Sequence, residues 1–319
     1  MSDDGRFIAF QMAKSRDPAG VGYGIFIYDI AMAKQLSGRA QGASYRAVAG
    51  FPQLPSGWTL GAVSGVATDA KGNVVLFHRG EHPILVFDQS GKFLRSFGDG
   101  LFKSAHGLRL DKDDNIWVTD NGNHTVTKFS PGGQVLLSLG VKDSPGEDDR
   151  RFDKPTDIAF APNGDVFVSD GYGNSRVVKF NHAGKFLLAW GKKGTGEGEF
   201  NVPHAVRLDS QGRVYVADRE NDRVQVFDQN GKFIRQFDGF APFGLFITPD
   251  ETVFVADGRA HRALKMTLEG KILGAWGELG SEPGNFILPH GITVGSDGAV
   301  YVTEINGKRA QKFGVMRGN

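Results

Sequence analysis

Three short stretches carry the residues that could do chemistry. They are Ala105-His106-Gly107-Leu108, Pro203-His204-Ala205-Val206 and Pro289-His290-Gly291-Ile292. Each places one histidine at the start of a short apolar run. Three neutral imidazoles brought to one point make a divalent-metal site, zinc above all, with a coordination position left open for water or substrate. Taken alone, a histidine on such a run is an ordinary polar residue bonded to backbone or water. Three at one register of a repeating unit need a common purpose, so the question becomes what repeats.

The repeat is clearest in the run that follows each histidine. It reads Asn115-Ile-Trp-Val-Thr-Asp120, Asp165-Val-Phe-Val-Ser-Asp170, Arg213-Val-Tyr-Val-Ala-Asp218, Thr252-Val-Phe-Val-Ala-Asp257 and Ala299-Val-Tyr-Val-Thr-Glu304, with a degenerate first copy at Asn73–His78. β-Branched and aromatic residues between Gly/Asp/Asn turns are sheet signals. A period of roughly 40–50 residues holding four strands means propeller blades. No stretch has a convincing helical period. The expected fold is all-β: a six-bladed propeller.

Each blade has a residue at the histidine register. In order these are Ser64, His106, Thr156, His204, Phe243 and His290. Histidine takes every second blade. Alternate blades of six lie a third of a turn apart, and the first strand of a blade lines the central channel. The three imidazoles are therefore expected to converge on the axis.

The remaining composition narrows the class. The chain has 319 residues, a net charge of +1 with both signs mixed, 45 glycines and no cysteine. Disulfides and thiolate ligands are excluded. A chain of this length buries roughly three quarters of its unfolded surface and needs no staple. No run of about five basic residues marks a nucleic-acid footprint, and no apolar stretch approaches the roughly 18 residues of a membrane span. The first residues lack the apolar core of a signal peptide, which favours a cytoplasmic location. Nothing in the sequence sets an oligomeric state.

Residues 1–44 read as an N-terminal extension forming a β-hairpin added to the ring, with strands expected at Arg6–Phe10 and Gly24–Tyr28 and a loop between them containing Lys14, Arg16 and Asp17. Residues 45–319 read as the propeller and catalytic domain. The last blade runs out near Phe313 after three strands, so residues 45–51 are the natural fourth strand, closing the ring and removing an open edge. Asp120, Asp170, Asp218 and Asp257 recur at strand ends and are read as turn caps. The acidic loop Asp143–Arg151 and the glycine-rich loop Lys192–Glu199 are read as the rim of the histidine-bearing face.

Several of these stretches together resemble one known family. Val63-Ser-Gly-Val-Ala67, Phe77-His-Arg-Gly80, His106-Gly-Leu108, Pro155-Thr-Asp157, Ser169-Asp-Gly-Tyr172 with Asn174-Ser-Arg176, Val202-Pro-His204 and Ala217-Asp-Arg-Glu-Asn221 follow the order of the peptidyl-α-hydroxyglycine α-amidating lyase core, an NHL-repeat propeller. The resemblance implies cleavage of a peptidyl-α-hydroxyglycine to a peptide amide and glyoxylate. It implies zinc on His106, His204 and His290, a catalytic Tyr172, and active-site Arg79 and Arg219. It also implies a structural calcium on the backbone oxygens of Val66 and Leu108, and on an aspartate after the third histidine. That last position is Gly291 here, and the family's cysteines are absent.

The chemistry of these residues is consistent. A tyrosine beside the metal would act as general base on a bound hydroxyl. Arginine forks suit a substrate, small molecule or peptide, with a carboxylate or other anionic group. The same centre could activate water against esters, lactones, phosphate or sulfate esters, so a metal-dependent hydrolase stands as the alternative. A non-enzymatic NHL interaction platform is the third reading.

Overall fold

The computed structural model of the chain describes residues 10–17, 20–27 and 44–316. The chain divides into two compact units, Met1–Gly42 and Ala43–Asn319. In the first, Phe10–Asp17 and Gly20–Ile27 pair antiparallel. Lys14, Arg16 and Asp17 thus lie in a strand rather than in the expected loop. Residues 6–9 and 28 of the expected strands lie outside the described residues.

The second unit is a ring of six four-stranded antiparallel sheets. The inner strands are Val63–Thr68, Ala105–Leu110, Pro155–Phe160, Pro203–Leu208, Pro242–Ile247 and Pro289–Val294, here numbered as blades one to six. Each packs against the inner strands of its two neighbours. Blade six consists of three late strands and Ser44–Ala47, which pairs with Arg309–Met316 through Phe313↔Ala47. The ring is closed by the early segment, as its missing fourth strand required. The only helical turn among the described residues is Arg219–Asn221, and none of their helices is long and apolar enough to cross a membrane.

The core is six wedges, one between each pair of successive blades, with no central mass. Side chains alternate across a strand, so a strand buried on both faces must be apolar throughout. In blade four, Val214 and Val216 join the wedge shared with blade three, while Tyr215 and Ala217 join the wedge shared with blade five. This explains why the second strand of each blade reads as an unbroken apolar run. Because the wedges bury most of the apolar surface, the axial register positions are free to be polar: Ser64, His106, Thr156, His204 and His290, with Phe243 the one apolar exception.

Candidate metal centre

The backbone aims the histidines. In every blade the ladder between inner and second strands slips at the histidine register. In blade four, Pro203 pairs with Asp218 and Ala205 with Ala217, leaving His204 unpaired. A bulge of this kind re-aims the extra side chain, here into the channel. In blades two and six the freed amide of the next residue is satisfied from the second strand. Gly107 N–H donates to Thr119 Oγ1 at 2.7 Å and Gly291 N–H to Thr303 Oγ1 at 3.0 Å. Both positions need glycine. A Cβ on Gly107 would sit 2.5 Å from Thr156 O, and one on Gly291 would sit 2.7 Å from Thr303 Oγ1.

The three rings form a near-equilateral triangle, with centroids 4.7, 4.8 and 4.8 Å apart. Each ring offers one nitrogen, and these nitrogens lie within 4.8 Å of one another. The intervening blades hold the other face of each ring. His106 Nδ1 donates to Thr156 O at 2.7 Å, His204 Nδ1 to Phe243 O at 2.6 Å, and His290 Nδ1 to Ser64 O at 2.7 Å. A carbonyl only accepts, so Nδ1 carries the proton and Nε2 presents a lone pair. All six register positions are used: three supply imidazoles and three supply carbonyls that fix their tautomer.

Burial keeps the rings neutral. His106 and His204 are held well below the ordinary imidazole range, first by burial and then by neighbouring positive charge, and His290 is held at about 3 by burial. The donor set therefore fits a divalent ion that prefers nitrogen ligands.

Tyr172, Arg79 and Arg219 gather at the same point. Tyr172 Oη lies 3.2 Å from His106 Nε2 and 3.0 Å from His204 Nε2. Arg219 Nη1 donates to that oxygen at 3.0 Å, and its guanidinium covers the Tyr172 and Phe243 rings. Arg79 donates through Nε to Ala105 O at 3.0 Å, next to His106. The charges of both arginines bear on His106 and His290.

The loop that carries Tyr172 is anchored from below. Asp170 accepts from Asn174 Nδ2 at 2.7 Å and from Arg176 Nε at 3.0 Å, and it also caps Asp153 N–H. Arg176 reaches on to the carbonyls of Asp148 and Arg151, so the acidic rim loop is tied to the tyrosine loop. In blade four, Asp218, Asn221 and Arg223 repeat the arrangement and tie in Gly194 and Gly196 of the glycine-rich loop. Asp170, Asp218 and Asp257, with Glu304 at the same register, thus accept backbone N–H groups and also pair with arginines, whereas Asp120 accepts from backbone N–H groups and Asn123. The pairing is written in the sequence as an arginine five or six residues after each of these four acids, at 176, 223, 262 and 309.

Val66 and Leu108, whose backbone oxygens the resemblance implies as calcium ligands, lie on the inner strands of blades one and two. Val66 sits mid-strand opposite Leu76. Leu108 O already accepts Arg109 Nη1 at 2.8 Å, and Gly291 offers no carboxylate.

Fold and centre together define a class: a six-bladed propeller whose alternate inner strands present a three-histidine centre beside a tyrosine and two arginines. The NHL repeat matches residues 102–129, 152–180 and 200–227. A probable peptidyl-alpha-hydroxyglycine alpha-amidating lyase of Caenorhabditis elegans is 34% identical over 289 residues, covering 78% of this chain and 81% of that protein. Peptidyl-glycine alpha-amidating monooxygenase B of Xenopus laevis is 35% identical over 296 residues, covering 80% of this chain. The chain spans 34% of the length of that monooxygenase. In three dimensions a streptogramin B lyase superposes with a TM-score of 0.62 at 18% identity, covering 86% of this chain and 98% of that one, a likeness of fold alone. The chain belongs to the peptidyl-α-hydroxyglycine α-amidating lyase family.

Proposed function

We propose that this chain is a metal-dependent lyase that cleaves the N–C bond of a peptidyl-α-hydroxyglycine, releasing the peptide amide and glyoxylate. The observation that carries this reading is Tyr172 Oη, bonded to Arg219 and within 3.2 Å of two inward-facing ring nitrogens. Membership of the family supplies the reaction class. A divalent metal held by Nε2 of His106, His204 and His290, zinc by the chemistry of the donors, would supply a fixed positive charge that acidifies a nearby hydroxyl.

The chain's own groups then divide the labour. Among the described residues Arg79 bonds only through Nε, and its two terminal nitrogens would take the substrate carboxylate as a fork. Arg219 Nη1 fixes Tyr172 Oη. Tyr172 Oη takes the proton of the substrate hydroxyl and passes its own phenolic proton to the nitrogen, as the C–O bond gains double-bond character and the C–N bond breaks. The electron pair of that bond leaves with nitrogen, and the proton ends on the amide. With each Nδ1 spent on a backbone carbonyl and each Nε2 committed to the metal, the histidines would have no nitrogen left to move a proton, and Tyr172 Oη would be the group beside the hydroxyl that can.

The test pairs elemental analysis with a glyoxylate assay. A lyase yields glyoxylate and peptide amide in equal amounts from a synthetic peptidyl-α-hydroxyglycine, with about one metal per chain. Turnover of activated esters alone would replace the lyase by a hydrolase. Protein that purifies without metal and tolerates histidine loss would replace both by an interaction platform.

A further inference from the structure

We propose that a buried cluster of Arg109, Asp157 and Arg207 takes the place of a structural cation at the propeller axis. In this reading it ties the inner strands of blades two, three and four together, and with them the histidine pocket, without calcium.

Three observations carry this. The first is occupancy. Arg109 donates through Nη1 to Leu108 O at 2.8 Å and through Nη2 to Asp157 Oδ2 at 2.8 Å. Arg207 Nη1 donates to the same carboxylate oxygen at 2.9 Å and to Ile158 O at 3.3 Å. A guanidinium thus stands on the carbonyl that a calcium would need. The second is charge. Two arginines and one carboxylate leave one net positive charge in a buried setting, where repulsion of a divalent ion is strong. The third is ligand count. Calcium takes roughly six to eight oxygen ligands. Arg109 and Asp157 line the axial cavity together with the three histidines. Only one carboxylate oxygen there, Asp157 Oδ1, lacks a protein partner. One such oxygen beside two guanidinium groups is no calcium site.

The cluster reaches the histidines through the backbone. Asp157 follows Thr156, whose carbonyl accepts the His106 Nδ1 proton. Asp157 Oδ2 also accepts from Val206 N–H at 3.4 Å, two residues after His204. Arg109 and Arg207 each lie three residues after a histidine, so two alternate blades carry His-x-x-Arg. Asp157 is accordingly a positioning residue for two of the three ligands.

The experiment is a thermal melt of the full chain, with free zinc buffered, in EGTA and in excess Ca²⁺. The expected result is an unchanged Tm and no calcium by elemental analysis after EGTA dialysis. A Tm that falls in EGTA and is restored by Ca²⁺ overturns the proposal. In Asp157→Asn the expected results are a lower Tm without rescue by Ca²⁺, and a zinc dissociation constant raised about tenfold, as for loss of an outer-shell partner. Wild-type Tm and zinc affinity in that variant would remove the positioning role. Should the variant not fold, the wild-type melt still decides. None of these readouts depends on which substrate is turned over, so their failure leaves the lyase reading standing and its failure leaves them standing.

Discussion

The hydroxyl oxygen of Tyr172 lies 3.0 Å from Nε2 of His204, and Arg219 donates to the same oxygen. A phenol held between an arginine and an inward-facing imidazole can do little for stability that a phenyl ring could not. Tyr172→Phe should therefore keep the fold and the metal. Its glyoxylate release should fall by about 10²-fold or more, the usual cost of a lost acid–base group. Unchanged turnover with full metal content would take Tyr172 out of the reaction.

His204 is the proposed ligand whose loss is most informative, because its Nε2 faces both the other two rings and Tyr172. His204→Ala should purify with little metal and no lyase activity. Chelation of the wild type should also lower Tm, since an ion bound only by the folded state at about 1,000 times its Kd stabilises by about 4 kcal/mol. Metal content and Tm matching wild type in His204→Ala would dissolve the centre.

Arg79 tests the carboxylate contact. Losing a charge-assisted hydrogen bond costs about 1.5–3 kcal/mol, so Arg79→Gln should raise KM by about ten- to a hundredfold with a smaller change in kcat. Arg79→Lys should recover only part of this, because an ammonium lacks the fork. A substrate whose terminal carboxylate is already an amide should be indifferent to both changes. Equal losses on the two substrates would place the carboxylate elsewhere.

The support under Tyr172 can be separated from its chemistry. Arg176 and Asp170 have side chains 7% and 0% exposed and pair at 3.0 Å. Arg176→Met leaves a buried carboxylate without its charge partner, which costs about 3–5 kcal/mol. It also frees the rim loop whose carbonyls at Asp148 and Arg151 the guanidinium holds. Denaturant melts should show that loss with the metal retained, because no histidine is touched. A variant as stable as wild type would mean that the loop is held by Asn174 alone.

The ring and its histidines were legible because they are periodic. A strand buried on both faces must be apolar at every position, so the repeat announces itself at each Val-aromatic-Val run. Three histidines spread over alternate blades announce themselves as one residue type at one register. The partners of that set were not legible. Thr156, Phe243 and Ser64 hold the imidazoles with backbone carbonyls, and any residue type supplies a carbonyl. The Arg109–Asp157–Arg207 cluster joins residues about fifty positions apart, and only closure of the ring makes them neighbours. The N-terminal pair was misplaced because polar residues such as Lys14 and Arg16 weaken the strand signal without preventing antiparallel pairing.

His78 links acid stability to the site from outside the metal centre. Its Nδ1 accepts Gly61 N–H at 3.0 Å and its Nε2 donates to His82 O at 3.1 Å, which spends the neutral ring completely. Burial lowers its pKa below the ordinary imidazole value, with the His82 carbonyl pulling the other way. The folded pKa is thus below the unfolded one. Above pH about 6.5 both states are neutral and the stability is intact. As pH falls below that value the unfolded chain takes up a proton that the fold resists, and stability is lost through the folded pKa. His78→Gln keeps an acceptor for Gly61 and a donor for His82 yet cannot titrate. Its Tm should fall less than that of wild type between pH 7 and pH 5, and because Arg79 follows directly, its KM should also be less sensitive to acid. Parallel Tm curves for the two proteins would show that protonation of His78 does not govern the acid limb.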